Sequence, residues 1–230
     1  MERPIIFSGE IIRAILEEKK TQTRRIHGLE DVNKYPDLWT FVKIGILDYK
    51  TKRSAKGKFG AYFTSELIEP KTISICPQVC PFGQPGDQLW VRETFSIDTM
   101  PFEGQGIGYM LRWKAGGERK EYFDGRIYPY PIPDKYRMAD KGWRPSIFMP
   151  RWASRITLEI VSVRVERVQD ISEEDAIVEG APLGRVFGEG KLGMKSHREG
   201  FIDLWNSING KKYPWESNPW VWKIEFRKIN

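Results

Sequence analysis

The chain is poor in the residues that most often announce a chemistry. Its 230 residues include only two cysteines, Cys76 and Cys80, and two histidines, His27 and His197. These four donors lack the paired short spacings of a structural zinc site, so no metal centre is expected. Two scattered histidines leave no imidazole pair for acid–base work. With so little cysteine, and nothing else that implies an oxidising compartment, a cytoplasmic location is expected. No run of about eighteen apolar residues occurs, so no membrane-spanning helix is expected. Met1-Glu2-Arg3-Pro4 lacks the basic-then-apolar profile of a secretory leader. Walker A, Gly-x-Ser-x-Gly and HExxH patterns are absent. Gly104-x-Gly106-x-Gly108 has no helical pattern behind it, and no cofactor is implied.

Positive charge and aromatic rings are abundant. The formal charge is +6, and nine Trp, nine Tyr and twelve Phe accompany 37 Lys and Arg. A pI near 9.2 fits an anionic partner such as nucleic acid. Proteins that hold unpaired bases combine rings or guanidinium planes for stacking with cations for phosphates. Packing in the core is the expected role of most of the nine tryptophans. The length suits one domain able to bury a core without staples.

Most of the chain has strand character. Short β-rich runs cover 39–49, 59–64, 72–76 and 89–95, and 107–114 with 121–123 predicts a hairpin around Gly116-Gly117. The basic loop 50–58 lies between two strands, and 126–145, rich in Pro, Tyr and Arg, reads as a surface excursion. The longest strand spans 156–168. Its alternation shifts near Ile160, from Ile156, Leu158, Ile160 to Val161, Val163, Val165, which predicts a bulge or corner. Ser172-Glu173-Glu174-Asp175 is a capping box for a helix stopped by Gly180. A second helix is expected over 196–208 with Phe201, Leu204, Trp205 and Ile208 on its apolar face. Four glycines in 184–193 predict a loop, and 220–226 is an alternating terminal strand. The fold class is α+β, built on a partly closed β-barrel with peripheral helices.

The most informative stretch lies near the N-terminus. The strand Ile5-Ile6-Phe7 leads into a helix with Ile11, Ile12, Ile15 and Leu16 on one face. That helix runs out into Lys19-Lys20-Thr21-Gln22-Thr23-Arg24-Arg25. Cations suit a helix C-terminus, which accounts for Lys19 and Lys20 but not for the residues beyond them. Strand, helix, then Lys-Thr-x-Thr-x-Arg resembles the entry motif of the ASCH family of PUA-like β-barrel domains, most of all the larger ASCH proteins of phage and prophage genomes. The resemblance continues in Gly86-Asp87-Gln88-Leu89-Trp90-Val91-Arg92-Glu93-Thr94 and Met149-Pro150-Arg151-Trp152-Ala153-Ser154-Arg155-Ile156. It ends in Trp205-Asn206-Ser207-Ile208-Asn209-Gly210 and Asn218-Pro219-Trp220-Val221-Trp222. It implies a single ASCH/PUA-like domain over 1–230, with insertions at about 26–70 and 96–142.

Some small ASCH proteins are amidohydrolases of N4-acylated cytidine that use a Lys, a Thr three residues later and a strand-borne Glu. The resemblance lays these roles on Lys20, Thr23 and Glu159, with the family's arginine at Arg25. A Thr hydroxyl needs a base, and a lysine serves only when neutral. Desolvation and neighbouring cations favour the neutral form. Glu93 and Arg92, adjacent on a strand, face opposite ways, so one of them is expected to point into the cavity. Nucleic-acid contacts are expected from Lys19, Arg24, Arg25, Arg92, Arg151 and Arg155, with Trp152 either a base-stacking ring or a lid on the core.

Three functions follow, in this order. The first is a nucleic-acid or nucleotide reader whose cleft holds one base, modified or not, with single-stranded RNA favoured over DNA. The second is an amidohydrolase of acylated pyrimidine nucleosides. The third is a ribonuclease whose Lys–Arg cluster steadies the phosphorane without an imidazole pair. A structural phage protein is a fourth alternative.

Overall fold

The computed structural model describes residues 1–48, 55–67, 72–102, 106–117, 120–123, 142–184 and 196–229. Among the described residues the protein is α+β, with three open sheets and few helices. Among the described residues no helix is long and apolar enough to cross a membrane. The chain forms two compact units from discontinuous segments. The first contains Met1, 19–88 and 159–227, and the second 2–18, 89–158 and 228–230.

In the first unit, strand β2 (Gln22–Arg25) is an edge strand hydrogen-bonded to β11 (Trp220–Lys228). On its other side β11 adjoins β10 (Thr157–Arg167). The antiparallel register places Trp222 opposite Arg25, Lys223 opposite Arg24, Ile224 opposite Thr23 and Glu225 opposite Gln22. Residues directly opposed across a ladder project to the same face. One face of β2 and β11 therefore carries Gln22, Arg24, Lys223 and Glu225, and the other Thr23, Arg25, Trp222 and Ile224. The terminal strand joins this sheet as its alternation predicts, but the ladders do not close the sheet on itself.

Two helices pack beside these strands. Helix α2 (Glu173–Val178) starts at Ser172, whose hydroxyl accepts the Asp175 N–H, and is followed by Gly180 in the left-handed region at φ +77°. Helix α3 (His197–Asn209) has a full capping box between Ser196 and Glu199. Phe201 and Trp205 of α3 join Ala176 of α2, Ile26, Val168, Trp215 and Val221 in one core. Ile208, expected on that face, is exposed, because it lies in the last turn, one step beyond the Phe201–Trp205 contact row. A separate sheet of β3 (Thr40–Ile46), β4 (Phe59–Leu67) and β5 (Thr72–Val79) seats Phe63 edge-on against Trp220 at 5.3 Å.

In the second unit β1 (Glu2–Ile6) is followed by α1 (Gly9–Leu16), whose Ile12 and Ile15 are buried. Strand β6 (Gln88–Arg92) lies beside β1. The run expected over 89–95 breaks after Arg92. The Glu93 N–H goes to the Met149 sulfur at 3.1 Å, and its side chain turns inward. The chain resumes as β7 (Phe95–Phe102), which with β8 (Gly106–Trp113) and β9 (Lys120–Phe123) forms the second three-stranded sheet. The β8–β9 pairing is the hairpin read from Gly116-Gly117, both at positive φ. In β10 the burial pattern shifts after Ile160. Val161 is exposed and Val163 buried, so the irregularity falls at Val161-Ser162. Residues 50–54 of the basic loop, 126–141 of the excursion and 185–193 of the glycine-rich loop lie outside the described residues.

Gly200 of α3 shows how closely the helices of the first unit meet the chain. A Cβ there would sit 1.8 Å from the Pro182 carbonyl oxygen. On an exposed helix Gly→Ala stabilises by about 1 kcal/mol. Here Gly200→Ala should instead destabilise by ~1–3 kcal/mol through overpacking, read from urea denaturation. A gain in stability would contradict the packing described.

Candidate functional site

The basic motif after α1 is folded inward. Lys20 is 3% exposed and Thr23 4%. The Arg24 side chain has no exposed surface. Its Nε donates to Glu166 at 2.7 Å, its Nη1 to Glu179 at 3.0 Å and its Nη2 to Asp175 at 2.7 Å. Lys223, across the ladder, donates to both Asp175 oxygens at 2.9 and 2.7 Å. Burial opposes the charge on Arg24, but Glu179, Glu166 and Asp175 outweigh it and raise its pKa. Burial also raises the Glu166 pKa against the pull of Arg24. The Asp175 pKa is lowered: burial alone would raise it, and hydrogen bonds from Lys223, Gln22 and Arg24 prevail.

Glu179, immediately after α2, meets the unpaired edge of β2. One carboxylate oxygen accepts the Arg24 backbone N–H at 2.8 Å and lies 3.5 Å from Lys20 Nζ. Lys20 Nζ also donates to the Glu179 carbonyl. Thr23 lies in the chain between the two groups that Glu179 holds. Burial pushes the Lys20 amine down to about 8. The Glu179 charge opposes this, and Arg25 and Arg24 add to it. Burial likewise lowers the Arg25 pKa against the charge of Glu179.

Of the residues read from sequence, Lys20, Thr23, Arg24 and Arg25 thus share one short segment, with Thr23 and Arg25 on one face of β2 and Arg24 on the other, and Lys19 is exposed on the same segment. Glu159 is held elsewhere. Its carboxylate accepts Arg227 Nε and Nη2 at 3.1 and 2.8 Å in a half-exposed pair. The carboxylate at Lys20 is Glu179, which motif reading missed. One signal was available. A helix C-terminus favours cations, and this one has an acid, Glu179, at its C-cap and no base in its last turn.

The remaining candidates lie in the second unit. Arg155 makes a two-pronged contact with Glu93 at 2.9 Å for each bond and stacks 4.6 Å from the Trp113 ring centre. Glu93 is fully buried, which raises its pKa against the pull of Arg155. Arg92 lies 4.7 Å from the Trp90 ring centre and Arg151 6.0 Å. Arg151 is paired with Glu2 at 2.8–2.9 Å in a half-exposed bridge. Trp152 packs half-buried against the cluster of Phe95, Ile97, Leu111, Trp113, Met149 and Ala153. His27 is exposed beside Glu30, and His197 faces the Ala181 carbonyl. The chain matches no family model, no curated protein and no solved structure.

Arg24→Met would leave Glu166, Asp175 and Glu179 without their shared partner, and should destabilise by ~3–5 kcal/mol. Arg151→Met, at the half-exposed bridge, should cost at most ~1 kcal/mol. Urea titration of both variants checks the contrast, and equal losses would refute the structural role given to Arg24.

Proposed function

We propose that the protein is an amidohydrolase with Lys20 as base, Glu179 as its carboxylate partner and Thr23 as the hydroxyl at the reacting centre. One observation carries this reading: a buried lysine, its amine brought down to about 8, with a carboxylate 3.5 Å away. A strongly shifted lysine beside a specific charge partner is a candidate for a functional group. A pure phosphate-binding surface would leave its cations open, whereas Arg24 and Arg155 are taken up by carboxylates. The motif resemblance provides the substrate class, an N4-acylated cytidine or a related acylated base. It also provides the PUA-like relationship, to which the sequence of β1, α1 and β2, with β11 beside β2, is congenial.

In this reading the neutral Lys20 amine takes a proton from the Thr23 hydroxyl, or from a water that Thr23 orients. The oxygen freed of that proton attacks the amide carbonyl. The proton then passes to the departing nitrogen as the C–N bond breaks, leaving an amine and, after water has added, a carboxylate. Glu179 holds Lys20 in place and balances its charge in the protonated half of the cycle.

Purified protein should therefore deacylate N4-acetylcytidine. Lys20→Ala and Thr23→Val should abolish turnover, and Glu179→Gln should lower it while moving the pH–rate midpoint below that of the wild type, since the Glu179 charge supports the protonated amine. Glu159→Gln should change it little. Since the neutral amine is the active form, the rate should rise with pH up to about 8 and level off above it. Absence of turnover above the Lys20→Ala control would remove the hydrolase, and a greater loss in Glu159→Gln than in Glu179→Gln would remove the role given to Glu179.

A second reading, single-stranded nucleic-acid binding, is favoured by a different observation. Trp143 is 47% exposed, with the Arg112 guanidinium 5.7 Å from its ring centre. An exposed ring with a cation over it can stack a base, worth about 1–3 kcal/mol. Trp143→Ala should then weaken binding of single-stranded RNA by roughly tenfold or more, measured by fluorescence anisotropy at fixed salt. Unchanged affinity would exclude this surface.

A further inference from the structure

Trp222 is the one tryptophan of β11 whose indole N–H has nowhere to go. The residue is 0% exposed, and among the described residues its Nε1 has no hydrogen-bond partner. Three other indoles at least half-buried among the described residues do find carbonyl acceptors. Trp113 donates to the Ala153 carbonyl at 3.0 Å, Trp205 to Tyr213 at 2.9 Å and Trp220 to Pro36 at 3.1 Å. A buried indole N–H normally has a partner, because leaving it dry forfeits its hydration with no return. If packing alone decided the position, Phe would fill the space without an orphaned donor.

The position of this donor ties it to the candidate site. Trp222 stands opposite Arg25 in the β2–β11 ladder, and Ile224 opposite Thr23. Trp222, Arg25 and Thr23 therefore share one face, while the neutralised Arg24–Lys223 cluster occupies the other. That shared face carries a guanidinium, a hydroxyl and an unspent N–H, all able to donate to an oxygen.

We propose that the Trp222 indole N–H is a substrate-binding donor, which with Arg25 receives an oxygen acceptor on this face of β2 and β11. In the hydrolase proposed above, on which the identity of the substrate rests, that acceptor is the amide carbonyl oxygen. The oxygen gains negative charge when the carbon is attacked. A donor already fixed in a dry site stabilises it without reorganising. Trp222 is then a catalytic residue, and its removal should act on kcat more than on KM.

The test is a ¹H–¹⁵N spectrum of the tryptophan indoles in the full chain. Trp222→Phe, or Trp222→Tyr if the first variant does not fold, assigns the cross-peak. The wild-type protein is then titrated separately with N4-acetylcytidine, acetate and inorganic phosphate. The expected result is a shift of the Trp222 indole peak with N4-acetylcytidine, while the peaks of Trp113, Trp205 and Trp220 stay in place. The variant should lose roughly 10²-fold or more in kcat with KM little changed. A shift with acetate or phosphate but no turnover would keep Trp222 as an oxygen-binding donor and discard the hydrolase. Turnover with an unmoved Trp222 peak would keep the hydrolase and overturn the donor. A Trp222 peak that none of the three probes moves overturns the donor whether or not turnover is seen.

Discussion

The buried guanidinium of Arg24 is the interaction on which the candidate site depends. An isolated charge with no exposed surface would be prohibitively costly, and this one is tolerated because its donors meet Glu166, Asp175 and Glu179. Those carboxylates belong to β10, to α2 and to the residue after α2. One side chain thus fixes the edge strand of a sheet against the helix beside it. Lys223 completes the set by neutralising the remaining charge on Asp175. An ion cluster of this kind is a weak source of net stability, but removing one partner leaves a buried charge uncompensated. In the seating observed, Asp175 of α2 and Glu179 after it both meet the Arg24 guanidinium.

What the cluster positions is Glu179, and through it Lys20. Glu179 spends its carboxylate on both the backbone and the side chain of Arg24, so its place beside Lys20 Nζ is set by contacts Lys20 does not make. The lysine is left with burial and two nearby arginines pushing against its charge and one carboxylate holding it. Such a group carries a stability cost. Its folded pKa lies below the usual lysine value near 10.4, so between about 8 and that value the unfolded chain binds more protons. Stability contributed by this residue therefore rises with pH across that window and is lowest below it. The role proposed for Lys20 would account for a group that lowers stability at neutral pH yet is so closely held.

Much of the architecture was legible because it is written in local periodicity. The alternating residues of β10, the Gly116-Gly117 hairpin, the Ser172 cap and the terminal strand all follow from spacing alone. The shift in the alternation of β10 was legible in kind, while its position at Val161-Ser162 depended on which valine the core could accept. The candidate site was legible only in part. Lys20, Thr23 and Arg25 stood out as cations and hydroxyls where a turn was due. Arg24 looked the same, and nothing local distinguishes a guanidinium bound for solvent from one bound for carboxylates more than 140 residues away. The acidic partner read from the strand was Glu159, a polar residue in an apolar run, whereas the acid beside Lys20 is Glu179. Its sign was electrostatic: an acid at a helix C-terminus, where the backbone dipole disfavours one. Trp222 was hidden for a different reason. A tryptophan in a terminal β-strand reads as core, and what sets this one apart is an indole N–H without an acceptor on a fully buried ring opposite Arg25.

The surroundings of Lys20 hold its amine well below the ordinary lysine range, and the Glu179 carboxylate is the group that supports its charge. Direct titration of the Lys20 amine by NMR, through its side-chain ¹³Cε shift, tests this without reference to any substrate. The account predicts a midpoint near 8 in the wild-type protein and a lower one in Glu179→Gln, where the supporting carboxylate charge is gone. A midpoint near the ordinary lysine value of about 10.4, or one that Glu179→Gln leaves unmoved, would contradict it.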